Sequence, residues 1–144
     1  MVAFNFFDQF MEDLDEGIHD LGSDQLTVAL CSNANAPVAG DSVLADLTEI
    51  AYTNLSSRNI TTSASAQTSG IYKLDLTDLT LTASGAVATF RHVVIYNNTP
   101  TSPADPLIGW ADFGSDVTLA DTETFVIDFN ATNGLFRLGL GTIT

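Results

Sequence analysis

From Leu26 onward the apolar residues recur at every second position in short runs separated by turn residues, and this restricts the chain to an antiparallel β fold. Leu26, Val28 and Leu30 alternate as a half-buried strand does, and so do Tyr72, Leu74 and Leu76. Leu79, Leu81 and Ala83 then continue on the opposite parity, which places a bulge or bend at Thr77-Asp78. Val93 to Tyr96 is apolar on both parities, the mark of a strand buried on both faces. Leu107 to Phe113 predicts another strand around Trp110, with a turn at Gly114-Ser-Asp116. Phe125, Ile127 and Phe129 predict a hairpin with Phe136, Leu138 and Leu140, joined through Asn130 to Gly134, where Asn133-Gly134 supplies positive φ. Asn59 to Ser69, rich in Ser, Thr and Ala but without bulk, suits an edge strand. Ser32 to Ser42 and the proline-bearing Asn97 to Pro106 predict loops, and Val43 to Ile50 an irregular segment or one helical turn. About seven to eight short strands indicate a mainly β protein, an antiparallel sandwich or barrel.

The residues before Gly22 follow a different period. Phe7, Phe10, Met11, Leu14, Ile18 and Leu21 fall on one stripe of a 3.6-residue repeat, predicting an N-terminal amphipathic α-helix over residues 4–22, capped by Asn5 and ended by Gly22. Asp8, Glu12, Glu16 and Asp20 fall on a second stripe, with Asp13 and Asp15 at its flanks. Acids four apart on a helix repel by about 0.2 to 0.5 kcal/mol per pair, and no base lies nearby to relieve them. This ridge is either a solvated outer face or a partner interface that a basic surface would neutralise.

The whole chain, residues 1–144, is expected to form a single domain, with the β body over residues 25–144. Eighteen acids against Arg58, Lys73, Arg91 and Arg137 give a net charge of −14. Nucleic acid is excluded as a partner by that balance, since phosphate binding needs clustered Lys and Arg, and anionic membrane surfaces are excluded for the same reason. No apolar run reaches the roughly 18 residues of a membrane span, and the N-terminus lacks a basic region followed by an apolar one, so synthesis in a cytoplasm is expected. Cys31, the only cysteine, ends an apolar run and is expected to be a buried small hydrophobe.

Chemistry-bearing patterns are sparse. Of the two histidines, His19 lies within helical reach of Asp15 and Glu16, which predicts a surface ion pair, and His92 alternates with Phe90 and Val94 as a satisfied or partly buried strand residue. Two histidines and one cysteine without short spacing make a poor zinc set. Asp112 to Asp116 is the best local candidate for calcium, and Asp13 to Gly17 lacks the later ligands of an EF-hand. No glycine-rich phosphate loop or nucleophile elbow occurs, and nothing selects a carboxylate pair for glycoside hydrolysis. The expectation is a non-enzymatic protein with no catalytic residue, no metal site and no cofactor; its one candidate interface is Asp8, Glu12, Glu16 and Asp20.

Leu107-Ile-Gly-Trp-Ala-Asp-Phe-Gly-Ser-Asp-Val-Thr-Leu-Ala120, together with the segments Leu21 to Leu30, Val43 to Ile50, Gln67 to Leu74 and Phe90 to Asn97, resembles small virion structural proteins of tailed bacteriophages. The likeness runs over most of the chain in the same order, and its motifs are structural. It implies a capsid decoration, or cement, protein: a homo-oligomer, with a trimer favoured, that sits on the head surface of the virion and binds the major capsid protein or another virion protein. A tail or fibre-associated adhesin is the alternative, for which exposed loop aromatics would be needed, and Tyr52 alone lies in a loop-like segment. A carbohydrate-binding β-sandwich module or small hydrolase is more remote.

Overall fold

The structure, a computed structural model, describes residues 2–139. Among them the chain runs β1 (Phe4–Phe6), α1 (Phe10–Asp15), β2 (Leu26–Cys31), β3 (Asn59–Ile60), β4 (Thr62–Thr68), β5 (Ile71–Leu76), β6 (Leu79–Thr82), β7 (Val87–Asn97), β8 (Leu107–Leu119), β9 (Thr124–Ile127) and β10 (Phe136–Leu138). The protein is mainly β, all its strand pairs are antiparallel, and they form sheets of order β1-β8-β7-β2-β3, β10-β5-β4 and β6-β9.

The alternation read from the sequence becomes two apolar clusters, one on each face of the largest sheet. Val28, Leu30, Val93, Ile95 and Ile108 point to one side, where they meet Leu74, Leu76, Leu81 and Phe136 from the two smaller sheets. Ala29, Cys31, Val94, Tyr96 and Leu107 point to the other, covered by Phe7, Leu44, Leu47 and Trp110. The Phe7 and Trp110 ring centroids lie 4.5 Å apart. Consequently every residue of β2, and every residue of β7 from His92 to Asn97, is buried. The edge assignment for Ser/Thr/Ala-rich β4 holds, as it pairs with β5 alone. A 3-10 turn at Leu44–Asp46 supplies the single helical turn, with the Asp46 carboxylate accepting from the backbone N–H groups of Ser42 and Val43.

The N-terminal helix is far shorter than its periodicity predicts. Asn5 does not cap it; Asn5 pairs with Trp110 inside β1, and Gln9 occupies the position before α1. Two local causes act. Gly109 lacks a side chain where β1 pairs with β8, and an added Cβ there would stand 2.5 Å from Asn5 O and 2.6 Å from the Phe4 ring, so β1 can lie this close because the position is glycine. At the other end Gly17 takes φ +76°, reversing the chain five residues before Gly22. Phe7, Phe10 and Leu21 still reach the core, but Met11 is 48% exposed.

Three further expectations change. The parity shift at Thr77-Asp78 is a complete break that sends β5 and β6 into different sheets, held by the Asp78 carboxylate accepting from Phe129 N–H at 2.8 Å. The turn expected at Gly114-Ser-Asp116 is instead a wide bulge within β8: from Phe90↔Val117 to His92↔Asp112, β7 advances two residues and β8 five. The hairpin expected between Phe125–Phe129 and Phe136–Leu140 does not form. β9 pairs with β6 and β10 with β5, and Leu140 lies outside the described residues. Asn130 does build a turn, its side chain accepting from the N–H groups of Thr132 and Asn133, but Leu135 N–H then donates to Leu74 O at 2.7 Å and draws the chain onto β5.

Candidate functional site

Asp8, Glu12, Glu16 and Asp20 are all exposed, but they do not form one helical ridge. Asp8 precedes α1 and its N–H donates to Ala39 O. Glu12 lies in the helix and Glu16 caps it, one turn apart. Asp20 belongs to a later turn, where its carboxylate accepts from Gly22 N–H. Asp13, placed at the flank by the helical period, is buried and accepts from the Gln9 amide.

His19 is likewise buried rather than paired with Asp15 or Glu16 at the surface, because the early helix end folds it inward against Phe10, ring centroids 5.3 Å apart. Asn97 Nδ2 donates to its Nδ1 at 3.2 Å and to Asp24 Oδ2 at 2.6 Å, while Asn97 Oδ1 accepts from Thr99 N–H. That orientation of the Asn97 amide makes Nδ1 an acceptor and assigns the imidazole proton to Nε2. Burial lowers the pKa of His19, opposed by the charges of Asp13 and Asp24.

Two further polar groupings are committed internally, around Tyr52 and around Asp112. Tyr52 donates its hydroxyl proton to Glu49 and accepts from Leu30 N–H, and the Arg58 guanidinium lies 3.5 Å over the Tyr52 ring while donating to Val28 O. Burial together with the Glu49 hydrogen bond raises the Tyr52 pKa strongly. This knot fastens the segment from Glu49 to Arg58 onto β2, with the Arg58 guanidinium covering one face of the Tyr52 ring. Asp112, the best calcium candidate, is taken by Arg91 through two hydrogen bonds of 2.7 and 3.0 Å and by Gly114 N–H; these, the Arg91 bonds first, pull its pKa down to about 2. Cys31 stands opposite His92 in the β2–β7 register, but both are buried, and burial pushes the thiol up to about 11, which leaves it protonated rather than nucleophilic. His92, expected to be satisfied or partly buried, is buried, and neither ring nitrogen has a hydrogen-bond partner among the described residues.

What the structure adds is an apolar cleft of about 1060 Å³ that no local motif announces. Its floor is Val93 and Ile95, and Phe4, Phe113, Phe125 and Ile127 stand around it. Phe125 meets Phe90 and Phe113 edge to face, each at 5.2 Å. Val2, Phe113 and Val126, which also line it, are 46%, 45% and 53% exposed. The charged residues of its lining are Asp78 and Asp128, with no base among them. β9 forms its wall while β6 does not, so the strand edge that β9 turns away from β6 borders the cleft, and among the described residues no strand pairs with it. The cleft joins parts of the chain from Val2 to Leu135, which is why no window of sequence contains it. The one signal available was Val126, an apolar residue out of phase with Phe125 and Ile127.

Among the described residues no helix is long and apolar enough to cross a membrane. No protein-family model, no curated protein and no solved structure matches this chain.

Proposed function

We propose that this chain is a non-enzymatic virion structural protein of a tailed bacteriophage, of the capsid decoration type. It is made in the host cytoplasm and attaches to the assembled head as a homo-oligomer, with a trimer favoured. The observation that carries the reading is the apolar cleft with its exposed rim of Val2, Phe113 and Val126: a contiguous apolar surface of this kind marks an attachment site for another protein. Beside it, the side chains of the Glu49–Tyr52–Arg58 knot and of the Arg91–Asp112 pair are spent on internal bonds. The segments that carry the resemblance supply β2, β7 and β8, the sheet on which both apolar clusters are built, and a sandwich-like body of packed sheets gives the rigid scaffold a clamp requires.

Co-sedimentation with purified phage heads, followed by electron microscopy of the decorated particles, tests the assignment. Added density on the head lattice is expected; density on the tail alone would move the protein to the adhesin class, and no association with either would discard the virion reading. Light scattering of the free and particle-bound protein tests the oligomer.

A further inference from the structure

We infer that the cleft is the seat of an extended partner segment carrying alternate apolar and basic side chains, which adds as a strand to the free edge of β9. The form of the occupant follows from the wall: among the described residues Thr124–Ile127 pairs with β6 on one side only, and its other edge presents backbone donors and acceptors beside apolar side chains, the arrangement that strand addition uses. Apolar side chains of the occupant would meet Phe113, Phe125 and Ile127, and alternate residues would lie on the opposite face of the added strand, that of Val126. β4 also has an unpaired edge, but its Ser, Thr and Ala side chains offer no such contact.

The sign of its charge follows from the electrostatics. Asp78 and Asp128 line the cleft without a base, and the chain as a whole carries −14. Arg58, Lys73 and Arg91 are already in ion pairs with Glu49, Asp75 and Asp112. A second copy of this chain would bring like charge to the site, whereas lysine or arginine on the occupant would complement it. This proposal rests on reading the chain as an attachment protein.

The test titrates the isotopically labelled full chain with the heptapeptide Lys-Val-Lys-Val-Lys-Val-Lys and with its glutamate counterpart, following amide resonances. Saturable shifts centred on β9 and Phe113 are expected for the lysine peptide alone, with affinity falling about tenfold between about 50 and 500 mM salt as screening grows. Phe113→Ser and Val126→Ser alter exposed side chains and should each weaken the lysine peptide about fivefold or more; Asp128→Asn should flatten the salt dependence. No saturable binding, equal binding of the glutamate peptide, shifts centred elsewhere, or unchanged affinity in both serine variants would overturn the proposal. Self-association of the free chain that both serine variants abolish would assign the cleft to a second copy and overturn it too. Peptide binding at the cleft without attachment to particles would discard the virion reading alone. Particle attachment untouched by the serine variants would discard the cleft alone.

Discussion

Ile108 and Phe113 lie five residues apart on one strand, β8, and their environments are opposite: Ile108 is fully buried and Phe113 is 45% exposed. Near Ile108 both faces of the sheet are covered, by the smaller sheets on one side and by Phe7, Leu44 and Leu47 on the other. There β1 also lies along the outer edge of β8, and Phe7 N–H donates to Ile108 O. Past Ala111 the pairing with β1 stops, the bulge begins, and the strand borders the cleft. What crosses a strand decides its burial, so one strand can be scaffold at one end and docking surface at the other.

The largest expected effect lies at the closed end. Ile108→Ala removes a fully buried side chain from a site packed on all sides and should cost about 2 to 5 kcal/mol in urea unfolding. A loss below about 1 kcal/mol would show that the two ends are equally loose. Phe125→Ala at the open end comes next. Phe125 is half-buried between Phe90 and Phe113, so its loss should fall below the roughly 3 kcal/mol at which fully buried phenylalanines begin. A cost equal to that of Ile108→Ala would mean that the cleft is closed in solution.

These two sites also divide what the sequence made legible from what it did not. The second half of β7 is readable because a strand covered on both faces needs apolar residues at successive positions, as Val93 to Tyr96 supply; β2 reads as half-buried from the alternation of Leu26, Val28 and Leu30, but the small Thr27, Ala29 and Cys31 between them are buried too. The helix was overread, since Phe7, Phe10 and Leu21 satisfy a helical period equally well when a strand, a short helix and a glycine reversal carry them into the core. The non-local choices were not legible: Phe136 pairing with Leu74 rather than with β9, and the coming together of Val2, Phe113 and Val126, depend on contacts between distant segments.

His19 sharpens the contrast at the closed end through pH. Its pKa in the folded chain is lowered from 6.5 by burial, so below that value the unfolded state takes up the proton more readily. Its contribution is therefore fully present above pH 6.5 and is lost as the pH falls toward the folded value. Protonation would also set an Nδ1–H donor against the amide donor of Asn97, whose orientation Asp24 and Thr99 hold. Thermal unfolding should show stability declining as the pH falls below 6.5 in the parent and less in His19→Gln, which retains an acceptor. Parallel profiles would mean that His19 is solvated and that this end is not closed.

The smallest effect concerns the acidic N-terminal segment, where the structure reduces the strain a full helix would carry. Three like-charge pairs on one helix would sum to on the order of 1 kcal/mol, but only Glu12 and Glu16 remain one helical turn apart. Replacing both by glutamine should therefore stabilise the chain by no more than about 0.5 kcal/mol, read as a small rise in melting temperature that salt diminishes. These carboxylates and the cleft make different predictions for attachment. If the cleft carries it, the double variant binds particles as the parent does at low salt, while Phe113→Ser does not. If the exposed acids of this segment are the interface, the double variant loses binding at low salt, where screening is least, and Phe113→Ser keeps it. Co-sedimentation of both variants at two salt concentrations therefore assigns the attachment surface to one region or the other.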